Sequence, residues 1–460
     1  MSDTRRGLFI TGDGRNLALT FVLVSSLFLL WGLCNGMIDV MDKHFQTELH
    51  LSKSQSAWVQ FAHYLGYFLM AMPAGWLATR LGYKGGIISG LLMVALGGFW
   101  FLPATHINAL AQAGSVSPTT AFVGYLAGVC AIAAGLTFLE TVANPYTTVL
   151  GPPQFAATRI NLAQSCNGVG WIFGPIIGGM FFYSTDAAGR STGSETLYIP
   201  YVVVAIVVVV LAIVFAFADI PDIEAEDDYH LDDGAAGPAH SIWRHPHFVM
   251  AVAAQFFYVA AQAGIFSFFI NYMTAEVPPI PASWRSDLLR SWFESGQAGA
   301  LRLSDRGAAN LASIGFVCFL VGRFTGAGLL KKFAAHRVLA LYGVLNVVAC
   351  FLVFLKLGWL SVACVFASYF FMSIMFPTIF ALGIFGLGAR AKKASAYIVM
   401  AIMGGAILPK LMGHVADQYD MSRGFIVPMV CFAFVAFYGH WWPKVSGVES
   451  MTAPKPDAAR

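Results

Sequence analysis

The chain has 460 residues, of which 58% are hydrophobic and 11% charged, with a formal net charge of +3. That balance excludes a soluble globular domain, and the small charge, spread over short loops, excludes nucleic-acid binding. The seven cysteines (Cys34, Cys130, Cys166, Cys318, Cys350, Cys364, Cys431) lie scattered in apolar segments without CxxC spacing, which argues against a disulfide framework or a metal site.

A membrane crossing needs roughly 20 apolar residues, and its backbone must satisfy its own hydrogen bonds, so the fold class is all-α. The first run, Leu17 to Val40, is too long for a signal-peptide core and lacks a small-residue cleavage pattern after it. Apolar runs bounded by charge, Pro or Gly predict twelve spans: 17–41, 54–79, 85–104, 118–147, 158–184, 198–219, 246–273, 306–330, 337–356, 358–387, 393–415 and 424–443. Asp219 to Pro246 is acidic and contains Pro and Gly, as a solvated linker would. The chain then divides into an N-terminal segment 1–16, a six-helix bundle 17–219, a linker 220–245, a second six-helix bundle 246–443 and a tail 444–460.

Lys and Arg in short loops set orientation. Arg80 and Lys84, Arg159, Lys331, Lys332 and Arg337, then Arg390, Lys392 and Lys393 all fall on one side. That side is expected to be cytoplasmic, with both termini and the linker on it, in a multi-pass protein of the inner (plasma) membrane. Arg285, Arg290, Arg302 and Arg306 lie opposite, in a segment too long to vote strongly, which is expected to form a small outer cap with Trp284 and Trp292.

The halves echo one another. Gly75-Trp-Leu-Ala-Thr-Arg80-Leu-Gly82-Tyr-Lys84 joins spans two and three, and Gly328-Leu-Leu-Lys331-Lys332-Phe-Ala-Ala-His336-Arg337 joins spans eight and nine. Paired six-helix halves with a site between them near the bilayer midplane are the plan of rocker-type secondary transporters. The first loop resembles the signature loop of the major facilitator superfamily, with Gly75 starting a tight turn and Thr79 where an Asp is usual.

Glu140 is the only Asp, Glu, Lys or Arg between Lys84 and Arg159. A charge at mid-membrane costs about 2.5–3.5 kcal/mol on insertion scales, so such groups usually face a cavity and serve transport or proton transfer. Pro145 in Leu139-Glu140-Thr141-Val-Ala-Asn144-Pro145-Tyr146 is expected to end or kink the helix beside the acid. The bland alternative is a structural salt bridge to Arg159. Asp39 closes the first predicted span in Trp31-Gly-Leu-Cys-Asn35-Gly36-Met-Ile-Asp39-Val-Met-Asp42, where it is either an interfacial carboxylate or a second functional acid. Burial favours the neutral form of a carboxylic acid and hydration the ionised one. Alternating access changes hydration, so Asp39 and Glu140 together have the means to carry a proton across.

Lys410 lies within the eleventh predicted span, in Gly404-Gly405-Ala-Ile-Leu-Pro409-Lys410-Leu-Met-Gly413, and must either snorkel or pair with an acid such as Asp39 or Glu140. Arg323 reads as structural. Gly170-Trp-Ile-Phe-Gly174-Pro175-Ile-Ile-Gly178-Gly179 offers small residues for close helix contact and also resembles a glycine-proline motif of antiporters. His63 and His414 are either proton relays or hydrogen-bonded members of the bundle.

Glu140-Thr-Val-Ala-Asn144-Pro145-Tyr, Arg159-Ile-Asn161-Leu-Ala-Gln164, Gln255-Phe-Phe-Tyr258-Val-Ala-Ala-Gln262, Gly322-Arg323-Phe-Thr325-Gly326 and Met372-Ser373-Ile-Met-Phe376-Pro377-Thr378 occur in one order across both halves. From about Leu30 to Phe437 the chain resembles the fucose:proton symporter family within the major facilitator superfamily. The resemblance implies proton-coupled uptake of a hexose or deoxyhexose such as L-fucose, with the proton as coupling ion and no cofactor. Glucose, galactose, mannose and N-acetylglucosamine are alternatives by the same mechanism, and uniport or antiport of another solute is the wider one. It further implies coupling roles for Asp39 and Glu140, sugar contact by Glu140, and a cavity lined by Asn35, Gln164 and Gln262. Asn144 in the matched motif and the aromatic Phe376 complete the expected substrate set, Phe256, Phe257 and Tyr258 being further candidates for a face against the sugar ring. Gly36, where an Asn is common, and Met375-Phe376, where Gln-Tyr is common, imply a less polar pocket. The partners expected are a sugar, protons and lipid, the carrier acting as a monomer. No nucleophile and base cluster, phosphate loop or metal-ligand set stands out, so an enzyme is not expected.

Overall fold

The computed structural model describes residues 8–10, 14–151, 156–184, 191–221, 242–281, 283, 291–295, 300–330, 333–385, 387 and 391–447. Most of the acidic linker lies outside them, as do Trp284, Arg285, Arg290, Lys331, Lys332 and Arg390, together with the side chains of Gly75, Thr79, Asn144, Asn161, Lys392 and Lys393.

Every predicted span coincides with helix. Eleven of the described helical segments are long and apolar enough to cross a membrane by themselves. The twelfth is the first part of the helix Trp58–Gln112, which Gly82 divides by leaving the helical region at φ 68° and ψ −175°. Only glycine adopts that conformation at low cost, so the turn of the first loop is made at Gly82 and not at Gly75, through which the helix continues. The first helix, Ala18–Glu48, extends about two and a half turns beyond Asp39. The fourth, Pro118–Val149, runs on past Asn144-Pro145, so of the two expectations for Pro145, ending or kinking the helix, the first is not met.

The helix contacts carry the repeat. Spans one and five, two and four, and three and six pack together in the first half. Seven and eleven, eight and ten, and nine and twelve do so in the second, which is the same pattern advanced by six. The halves meet where span five lies along span eight and span two along span eleven, again a symmetric pair. Three helices of the second half are interrupted: span seven between Pro246–Ser267 and Phe269–Ala275, span ten between Trp359–Met372 and Met375–Ile384, and span eleven at the 3-10 turn Ala401–Met403. Irregular backbone at membrane depth is tolerated only where protein or a cavity satisfies it. The segment expected to form an outer cap carries a small antiparallel ribbon, Phe293–Ser295 against Leu301–Leu303.

Spans one and five cross with their backbones nearly touching. A Cβ on Gly32 would lie 2.0 Å from the Asn167 carbonyl oxygen, and one on Gly170 would lie 2.2 Å from that of Leu29. Gly36 belongs to the same crossing, its Cβ direction blocked by the Trp171 carbonyl at 3.0 Å and Gly174 Cα at 3.1 Å. This glycine therefore serves helix packing, which gives its lack of a side chain a steric reason; Met375 is fully buried. Gly32→Ala is expected to destabilise the protein by about 1–3 kcal/mol through overpacking, seen as a lower unfolding midpoint in detergent. Gly124→Ala, whose Cβ meets nothing closer than 3.8 Å, is expected to leave the midpoint level or raise it.

Candidate functional site

A row of polar side chains lies along one face of span two. Gln60, Tyr64 and Tyr67 recur at spacings of four and three, which places them one above another on a helix. Together they descend about 10 Å from the end of the bundle distal to the chain termini. Gln60 Nε2 donates to Asp39 Oδ1 at 2.9 Å and to Asp42 Oδ2 at 3.3 Å, all three side chains being at most 8% exposed. Lower down, Trp31 Nε1 donates to Tyr67 Oη at 2.6 Å, with Asn35 beside the same phenol. Tyr64, between the two groups, is within electrostatic reach of Asp39, Asp42 and Glu140, and its ring lies over Gly405 of span eleven, where a Cβ would come within 2.4 Å. The ladder thus faces the other half of the molecule.

Glu140 is half-buried, close enough to Tyr64 and Tyr67 to act on both electrostatically, and among the described residues it forms no hydrogen bond or ion pair. Arg159 is not its partner. Its guanidinium is spent on main-chain carbonyls, Nε to Thr147 at 3.0 Å, Nη1 to Leu8 at 3.2 Å and Nη2 to Gly151 at 3.1 Å, which ties the loop after span four to the N-terminal segment. Lys410 is also elsewhere in this conformation, with Nζ 3.6 Å from the centroid of the Trp58 ring, a cation–π contact near the distal end. Asp39, expected to close its span, lies well inside it.

Asn35 is buried with Oδ1 unpartnered, and Gln262 on span seven is half-buried with no hydrogen bond among the described residues. Phe376 packs edge-on against Tyr258, centroids 6.4 Å apart, next to the break in span ten. Gln164 is half-buried at the contact of spans five and eight, where its carbonyl lies 3.5 Å from Arg323 Nη1. The side chain of Asn144 lies outside the described residues. Sequence reasoning missed Gln60, Tyr64 and Ser267, and gave Asp42 no role. The spacing of Asp39 and Asp42, one helical turn apart, and the polar face of span two were the available signals.

At the distal end the halves are latched together. Asp417 accepts from the backbone N–H groups of Lys53 at 3.0 Å and Ser54 at 2.9 Å, and its carboxylate lies 3.7 Å from Lys53 Nζ. Lys43 lies 3.8 Å from Asp305, and Gln46 and Asn271 exchange amide hydrogen bonds. Each of these contacts joins one half to the other, so the conformation is closed at the distal end. Outside the spans, Asp420 is partly buried, which by itself would push its carboxyl up; the Arg423 backbone N–H and the Lys356 ammonium, 3.0 Å away, outweigh this and hold it below the usual carboxylate range.

Residues 19–284 match the Major Facilitator Superfamily model. The chain is 32% identical over 448 residues to the L-fucose-proton symporter of Escherichia coli K12, covering 94% of each protein. It is 31% identical over 431 residues to a glucose/galactose transporter of Brucella abortus biovar 1, covering 93% of this chain and 95% of that one. The crystal structure of the E. coli fucose:proton symporter superposes with a TM-score of 0.65, at 32% identity, over 93% of this chain and 99% of that one. Two bundles repeating by six helices, a polar seam between them and similarity along nearly the whole length agree, and the chain belongs to the major facilitator superfamily, in the branch of its sugar carriers.

Proposed function

We propose that the protein is a proton-coupled uptake carrier for a hexose or deoxyhexose, L-fucose-like in its demands on the site, working by alternating access in the inner (plasma) membrane as a monomer. Both termini are cytoplasmic in this reading, which the positive-inside distribution of Arg80, Lys84, Arg159 and Arg337 supports. The distal latch then closes the outer face, and the conformation described is the one that faces the cytoplasm.

The observation that carries the reading is that Asp39, which is buried, and Glu140, which is half-buried, lie at the seam between the halves with no cation paired to either among the described residues. An acid so placed is stable when protonated and ionises when its face of the seam is hydrated. Rocking of the halves exchanges those environments. Glu140, with Asn35, Tyr67 and Trp31 beside it, offers the charged acceptor, the amide and the aromatic edge that a buried polyol needs. Asn144, Gln164, Gln262 and Phe376 are assigned to the same pocket. Sugar transport changes no covalent bond, so neither an enzymatic step nor a cofactor enters.

The test uses purified protein in liposomes holding an internal pH dye, with no imposed gradient and L-fucose, glucose, galactose, mannose and N-acetylglucosamine added in turn. Internal acidification by one of them is the expected result and names the sugar. Binding of a sugar without acidification would leave uniport and take the proton role from both acids.

A further inference from the structure

We propose that Asp42 is a second proton-carrying residue of the coupling site, forming with Asp39 a carboxylate pair bridged by Gln60. The inference rests on the proton-coupled reading above and adds a residue that the family resemblance did not supply.

Asp39 and Asp42 stand one helical turn apart on the first span, and the Gln60 carboxamide spends its N–H groups on one oxygen of each. The remaining oxygens, Asp39 Oδ2 and Asp42 Oδ1, are buried without partners among the described residues, and Asp42 is 0% exposed. The groups within electrostatic or hydrogen-bonding reach of the pair come from spans two, five, six, seven and ten. They are Gln60 and Tyr64 from span two, Tyr183 from the end of span five, Tyr201 from span six, Ser267 from span seven and Tyr369 from span ten. None of these is a cation, and Lys43, the nearest basic residue in sequence, is turned to Asp305. With no counter-ion beside them among the described residues, two adjacent buried carboxylates cannot both be ionised, so the pair retains at least one proton while the distal end is closed.

Opening changes Asp42 first. It lies about 4.5 Å nearer the distal end than Asp39, and its neighbour across the seam, Ser267, belongs to the half that moves away; that hydroxyl is close to Asp42 but lacks a partner in hydrogen-bond geometry. Separation of the halves therefore brings water to Asp42 before Asp39, and protons exchange with the outside there. Two carboxylates in contact titrate as a unit, the charge on one holding the last proton on the other.

The experiment follows sugar-dependent proton uptake in liposomes as a function of pH for the wild type, Asp42→Asn and Asp42→Glu. Asp42→Asn removes the like charge, so the midpoint of the upper limb is expected to fall by about one pH unit or more. Asp42→Glu restores a second carboxyl and is expected to return the midpoint toward the wild-type value. Should Asp42→Asn not assemble, Gln60→Met supplies the independent arm: both carboxylates lose their shared donor and the midpoint rises. Wild-type coupling with an unmoved midpoint in Asp42→Asn, or in Gln60→Met where that arm is used, overturns this proposal alone. A wild type that moves sugar without protons overturns it together with the proton-coupled reading.

Discussion

Asp39→Asn is expected to abolish uphill accumulation while leaving measurable exchange of sugar. Asn has nearly the shape of Asp, and its side-chain oxygen can still accept from Gln60 Nε2, which donates to Asp39 at 2.9 Å in the native protein. What is lost is the titration. Without an acid that changes charge at this depth, the halves can still rock around a bound sugar, but the proton gradient no longer biases the direction. In proteoliposomes under an inward proton gradient the accumulation ratio should fall to about one, and counterflow of labelled sugar should persist at a reduced rate. Full uphill uptake by the variant would take Asp39 out of the mechanism.

For Glu140→Gln the expected loss is in binding. A carboxylate accepts from two neighbouring hydroxyls at once, and hydrogen bonds to charged groups contribute about 1.5–3 kcal/mol against about 1 for neutral ones. Glu140 forms no hydrogen bond or ion pair among the described residues, so its carboxylate can accept from sugar hydroxyls without giving up a protein partner. The affinity should weaken roughly tenfold or more, measured by calorimetry or by quenching of tryptophan fluorescence, Trp31 being held at the same cluster through Tyr67. A dissociation constant within twofold of the wild type would remove Glu140 from the sugar site. The two variants separate the roles: one carrier should bind without accumulating, and the other should hardly bind.

The latch at the distal end explains why Asp39 is out of water in the conformation described. Asp417 holds the start of the short helix Lys53–Ser56 by two backbone N–H groups, and Lys43 with Asp305 closes the neighbouring edge. Ion pairs this exposed are worth little singly. A set of weak contacts that forms and breaks together suits a carrier, because each face must reopen in every cycle.

The spans were legible because burial in lipid forces long apolar helices, and period and length suffice to see them. The Gly82 turn was misplaced to Gly75 because both glycines occupy the same loop motif and only the backbone angle distinguishes them. Gly36 looked like a missing pocket residue because its facing direction depends on which helix crosses it, and span five does. Arg159 and Lys410 were natural partners for a lone acid on charge grounds; the fold gives the first to carbonyls and the second to Trp58 in this conformation.

By itself the sequence determined that the protein spans a membrane with twelve helices in two echoing halves, and it singled out Asp39 and Glu140, because a charge in an apolar run is conspicuous wherever the chain goes. Only the tertiary structure decided which polar side chains share a site. Gln60 lies 18 residues from Asp42 and Ser267 more than 220, yet both come to the same carboxylate. Helical periodicity places a residue on a face of its own helix, but which helix of the other half opposes that face is fixed by packing at the seam.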